Sequence, residues 1–77
     1  MHTQILLHQL PIGKSAIIEQ IRCEGSMHRR LLDIGLIEGT RVTCVGRSPG
    51  GDPAAYCIRG AVIAIRDTDA KRIHIIL

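Results

Sequence analysis

Ser26-Met-His-Arg-Arg-Leu-Leu-Asp-Ile-Gly-Leu-Ile-Glu-Gly-Thr40 is the stretch on which the rest of the chain depends. Ser26 suits an N-cap, since its hydroxyl can accept from the unpaired N–H groups of a first helical turn. Met27, Leu31 and Ile34 follow at i, i+4 and i+7 and so share one stripe of a helix. Gly35 stands where a left-handed residue closes the last turn at no Cβ cost. Glu38-Gly39 is a second turn signal ahead of a β-like run from Arg41. The spacing predicts one short helix in a chain that otherwise reads as strand and turn.

Upstream, Gln4 to Leu10 is a short apolar segment, a brief turn of helix or an extended lead-in, stopped by Pro11 and Gly13. Ser15 to Arg22 reads as the first main strand, alternating imperfectly, with a bulge near Ile18. Downstream, Arg41 to Arg47 is a strand with Val42 and Cys44 on one face and Thr43 and Val45 on the other. Ser48-Pro-Gly-Gly-Asp-Pro53 is dense in turn residues and joins it to an antiparallel strand from Ala54 to Arg59, where Tyr56 and Ile58 share a face. Gly60-Ala61 is the next tight connection, and Val62 to Arg66 the next strand. Asp67 caps one helical turn through Lys71, and Ile73, Ile75 and Leu77 alternate along a closing strand.

With 77 residues the chain is expected to form one domain over 1–77. A domain this small buries only about 60 % of its unfolded surface. Phe and Trp are absent and Tyr56 is the one aromatic, so the core must come from branched aliphatics. Their branched Cβ favours strands. Short strands, tight turns and one inserted helix fit a small antiparallel β-barrel, which also limits exposed sheet edges.

The same composition excludes several function classes. A single-strand nucleic-acid platform needs rings for bases to stack on, and the net charge of +3 is spread among interspersed acids, so no nucleic-acid partner is expected. Gly50-Gly51-Asp52-Pro53 lacks the Lys-Ser/Thr that would make it a phosphate loop, and no nucleophile has a motif around it. The chain is therefore expected not to be an enzyme, with no catalytic and no cofactor-binding residue. Cys23, Cys44 and Cys57 are odd in number and lack CxxC spacing, which reads as reduced, small hydrophobic residues. Cys44 and Cys57, on strands flanking the Pro-Gly loop, are candidate cross-strand neighbours. The four histidines include His2 and His8, which can meet metal adventitiously, and His28 in the helix. Imidazole and carboxylate suit ferrous iron and thiolate suits zinc, so weak binding of iron or zinc stays open while no residue is assigned as a ligand. No apolar run approaches a membrane span and no secretion signal is read at the start, so the chain is expected to be cytoplasmic.

Arg29-Arg30-Leu31-Leu32-Asp33-Ile34-Gly35-Leu36-Ile37-Glu38-Gly39-Thr40 resembles the signature of the FeoA family. The likeness runs on through Leu7-x-x-Leu10-Pro11-x-Gly13, Gly51-Asp52-Pro53, Arg59-Gly60, Ala64-Ile65-Arg66, Ala70 and Ile73-His74-Ile75, nearly the whole chain. Asp69 departs from it, standing where a glutamate is common. The resemblance implies a mainly β, SH3-like barrel of about five strands, with one short helix after the first main strand and a helical turn before the last. It implies an accessory of bacterial ferrous-iron uptake whose partner is the FeoB-type permease with its cytosolic GTPase domain, and recruitment by that partner to the inner face of the membrane. Activation, stabilisation of an assembly and adaptor binding all stay open, as does a homo-oligomer. The alternative is a stand-alone transition-metal-binding or metal-sensing domain, related to the C-terminal barrel of iron-dependent repressors.

Within the helix, a projection at about 100° per residue leaves Leu32 and Leu36 far from the Met27–Leu31–Ile34 stripe, beside Arg29 and Arg30. Two accounts stand. Leu36, past the Gly35 stop, turns inward and Leu32 packs under the N-terminal segment. Alternatively, Arg29, Arg30, Leu32 and Leu36 form an arginine-rimmed leucine patch that docks a partner. Resemblance to a GTPase-associated family also admits Arg29 or Arg30 as an arginine finger. The plain reading of Arg30 and Asp33 at i, i+3 is a surface ion pair.

Overall fold

The structure is a computed structural model that describes residues 3–77. Six strands, β1 (Gln4–Leu6), β2 (Ser15–Ile21), β3 (Arg41–Arg47), β4 (Ala54–Ile58), β5 (Ala61–Ile65) and β6 (Ile73–Ile76), form one antiparallel sheet in the order β1-β6-β2-β3-β4-β5. Helix α1 (Gly25–Asp33) is inserted between β2 and β3, and the single turn α2 (Asp67–Ala70) precedes β6. This is the mainly β, SH3-like arrangement expected. Two details differ from the expectation. The lead-in segment splits into β1 and a 3-10 turn over Leu7–Gln9, giving six strands, and the outer strands β1 and β5 do not pair with each other.

Period-two alternation explains how one sheet encloses one core. Ala16 and Ile18 on β2, Val42 and Cys44 on β3, Ala54, Tyr56 and Ile58 on β4, Ile65 on β5, and Ile73 and Ile75 on β6 are all buried in a single cluster. Leu7, Leu10 and Leu31 join them from outside the sheet. The bulge expected near Ile18 is present as a register shift between Ile18 and Gln20. A second lies between Cys44 and Gly46 on β3. The N-terminal segment is tied down by Arg47, whose guanidinium donates to the carbonyls of His8 and Leu10, both at 2.9 Å.

The turn between β4 and β5 consists of Arg59 and Gly60, one residue earlier than expected, because Ala61 already pairs with Ile58. Both turn residues have positive φ, +50° and +84°, as a two-residue hairpin matched to strand twist requires. Glycine is at home there, whereas arginine pays for its Cβ. At the start of α1, the helix begins at Gly25 with Glu24 as N-cap and no side-chain cap bond, so Ser26 lies within the first turn rather than ahead of it. Gly25, at φ +65°, makes the turn into the helix that the sequence reading gave to a serine cap. At α2 the N-cap is Arg66, not Asp67, and the Asp67 N–H donates to the Asp52 carboxylate at 3.0 Å.

Cys44 and Cys57 are not opposite each other, which corrects their reading as cross-strand neighbours. Register pairs Cys44 with Tyr56 and Thr43 with Cys57, so successive residues send the two thiols to opposite faces. Cys44 is in the core and Cys57 is half-buried on the outer face.

Candidate functional site

The C-terminal end of α1 is closed by two backbone hydrogen bonds. The Leu36 N–H reaches back to the Leu31 carbonyl at 2.8 Å and the Gly35 N–H to the Leu32 carbonyl at 3.0 Å, while Gly35 takes φ +84°. These are the two bonds of a Schellman cap, which brings the residue after the left-handed glycine against the last buried residue of the helix. Leu36 accordingly packs with Leu31, at 0 % and 1 % exposure. Thr40 then clips the loop. Its hydroxyl donates to the Gly35 carbonyl at 3.3 Å and accepts from the Ile37 N–H at 3.1 Å.

That geometry decides between the two accounts of the leftover leucines, one residue at a time. Leu36 is not part of an exposed patch, because the helix has ended before it and a helical projection no longer applies. Leu32 is still in the helix and is 49 % exposed, so it does not pack under the N-terminal segment. It borders a groove of about 340 Å³ lined by Ile21, His28, Leu32, Leu36, Ile37 and Glu38, with Leu36 contributing from below. Ile37, at 52 % exposure, is the apolar residue that sequence reasoning missed. The available signal was its place between Gly35 and Gly39, where neither helix nor strand periodicity assigns a side chain to the core.

Arg29 and Arg30 are exposed, and neither lines the groove. They line a separate cleft of about 480 Å³ with Gly25, Ser26 and Asp33. The arginines and Leu32 thus line two adjoining clefts of α1. Met27 and Ile34 pack against the core, as their stripe requires.

Elsewhere the polar groups serve packing. The Tyr56 hydroxyl donates to the Leu7 carbonyl at 3.4 Å, and burial pushes its ionisation up to about 12. The Cys23 thiol donates to the Asp69 carbonyl at 3.4 Å, and burial, then the nearby Asp69 charge, raise its pKa. Among the described residues no three His, Cys, Asp or Glu side chains gather as a metal cluster. His2 lies outside those residues, and His8 and His28 each have a buried, unbonded Nδ1. No helix among the described residues is long and apolar enough to cross a membrane.

Comparison with known proteins places this geometry. The model of the FeoA domain matches residues 5–77. A Fe(2+) transport protein A/Fe(2+) transporter FeoB fusion protein of Porphyromonas gingivalis is 31 % identical over 69 residues, covering 90 % of this chain. The chain spans only 8 % of that protein's length. The solution structure of a FeoA protein from Chlorobium tepidum superposes with a TM-score of 0.86 at 30 % identity, covering 95 % of this chain and 70 % of the other. The crystal structure of a Stenotrophomonas maltophilia FeoA complexed with zinc, described as a prokaryotic SH3 domain protein, gives 0.78 at 29 %, with 92 % and 88 % coverage. A manganese-dependent transcriptional repressor gives 0.83 at 17 % identity, covering 99 % of this chain and 42 % of the other, a likeness of fold alone. With a family match across nearly all of its length and the same fold in relatives at similar identity, the chain belongs to the FeoA domain family.

Proposed function

We propose that this chain is a non-enzymatic accessory module of ferrous-iron uptake that docks on the cytosolic, GTPase-containing part of a FeoB-type permease and modulates transport. The observation that carries the reading is the P. gingivalis fusion, in which a FeoA-type segment shares one polypeptide with the transporter. A covalent link raises the effective concentration of two modules for each other, which is useful where they work in contact. Transport itself belongs to the remainder of such a protein. In this reading the chain acts as one module over 1–77, in the cytoplasm, and the partner recruits it to the membrane.

The docking surface is the outer side of α1. Leu32 and Ile37 offer an apolar groove that a partner side chain can fill, and burying one such residue contributes roughly 1.5–3 kcal/mol. Arg29 and Arg30 supply charge on the adjoining cleft, for acidic groups of the partner or for a GTPase site approached as an arginine finger. Leu36 supports the groove from the core and does not itself touch the partner.

The test is binding of the chain to the purified cytosolic domain of a FeoB-type permease without metal, together with anaerobic calorimetry against ferrous iron. Metal-independent binding that Leu32→Glu abolishes supports docking. Stoichiometric iron binding tighter than micromolar with no binding of the permease domain supports the metal-sensing alternative instead. Arg29→Ala and Arg30→Ala separate charge from catalysis: unchanged binding and unchanged GTP hydrolysis in both remove the arginines from the mechanism.

A further inference from the structure

The outer face of β3 and β4 carries a feature that the docking surface does not use. The β3–β4 ladder ends at the Val42–Ile58 pair, with Arg41 opening β3 on one side of it and Arg59 following β4 in the turn on the other. Both are exposed, and both line a cleft of about 420 Å³ with Gly39, Thr40, Thr43 and Cys57. Like charges gathered on one surface repel each other. No carboxylate lines the cleft to relieve them. Arginine hydrogen bonds are seen for Arg22 and Arg47, and none for Arg41 or Arg59 among the described residues.

Arg59 also lies against the helix cap. Its φ of +50° is a costly conformation for a residue with a Cβ. Its side chain lies over Gly35, where an added Cβ would come within 2.7 Å of the Arg59 Cδ. The stem is thus directed across the helix cap at the border of the cleft. The hydroxyl of Thr43 is engaged with that of Ser15 at 2.7 Å, leaving the two guanidinium groups as the free donors.

The geometry points to a phosphate-binding site between Arg41 and Arg59. Two planar forks carry two positive charges, matching a dianionic phosphate group whose oxygens can accept from both. The open cleft beside Gly39 and Cys57 leaves room for the group or the body of its ester.

Cys57 provides the reporter, because Cys23 and Cys44 are buried and native-state alkylation reads the half-exposed thiol. The full chain is titrated with sodium phosphate against chloride at constant ionic strength, following amide shifts and the rate of Cys57 alkylation by iodoacetamide. Saturable shifts confined to Gly39, Arg41, Thr43, Cys57 and Arg59, with slowed alkylation, support the site. Arg41→Gln and Arg59→Asn, each checked for an unchanged fold by its amide spectrum, should weaken binding about tenfold or more. Glycerol phosphate separates the sources. Equal binding assigns the site to a phosphate ester, and binding of inorganic phosphate alone assigns it to the free ion. Identical behaviour in phosphate and chloride, or phosphate binding that survives both substitutions, overturns the inference. No permease is used, so the outcome is independent of the docking reading.

Discussion

Gly35→Ala is the perturbation that bears on the most structure at once, since Gly35 ends α1, turns Leu36 into the core and sets Ile37 at the groove. Its φ of +84° is a left-handed conformation, and a Cβ there costs about 1–2 kcal/mol. The added Cβ would also lie 2.7 Å from the Arg59 Cδ. Arg59 is exposed and can swing aside, so the steric part is small beside the backbone part. The expected loss is about 1–2 kcal/mol, which in a domain of this size lowers Tm by about 5–15 °C. Gly35→Val should lose more, because a β-branched residue is poorer still at positive φ. Urea unfolding of the two variants measures the loss. In an Arg59→Asn background the Gly35→Ala cost should fall by its steric part while the backbone part remains. An unchanged urea midpoint in Gly35→Ala would refute the left-handed cap and, with it, the explanation of why Leu36 is buried.

Other substitutions probe neighbouring parts of the same account. Leu36→Ala should cost about 2–5 kcal/mol as a core truncation, and Leu36→Glu should fail to fold, both read by circular dichroism melts. Thr40→Val removes the clip between Gly35 and Ile37 and should cost about 1–3 kcal/mol in urea unfolding, because the Gly35 carbonyl and Ile37 N–H lose their partner. Arg59→Asn should raise Tm, since asparagine before glycine suits a turn with two positive φ values. The pH dependence follows from Tyr56. Its folded pKa is raised from 10.0 to about 12, so the folded protein keeps a proton that the unfolded chain releases above pH 10.0. That contribution is complete below the unfolded value and is lost as pH rises through the folded one. Tm should therefore fall more steeply from about pH 10 to about pH 12 in the wild type than in Tyr56→Phe.

The parts of the fold legible in the sequence were those set by local chemistry. The stripe of Met27, Leu31 and Ile34 gave the helix, Gly35 its end, and the alternation through Val42 and Cys44 and through Tyr56 and Ile58 gave two strands with their buried faces. Errors fell where residues answer to distant partners. Asp67 has the side chain of a cap, yet its own N–H is met by Asp52 from the loop before β4. Proximity of Cys57 to Cys44 along the hairpin is readable, while the register that separates them is not. For the candidate site, Leu32 could be found from the helix projection. For Leu36 the two accounts differ in whether the projection is carried past Gly35, and the one that stops there and turns the side chain inward matches its burial, while Ile37 escapes because a loop residue has no period.

The most direct measurement of the central claim is the affinity of this chain for the cytosolic domain of a FeoB-type permease, by fluorescence anisotropy, for the wild type and for Leu32→Glu. Leu32 is half-exposed, so the variant should keep the wild-type Tm. The expected result is wild-type binding without added metal and a loss of about tenfold or more in the variant, as for a central apolar contact. Equal affinity of the two proteins, or no wild-type binding at all, would contradict docking through the α1 groove.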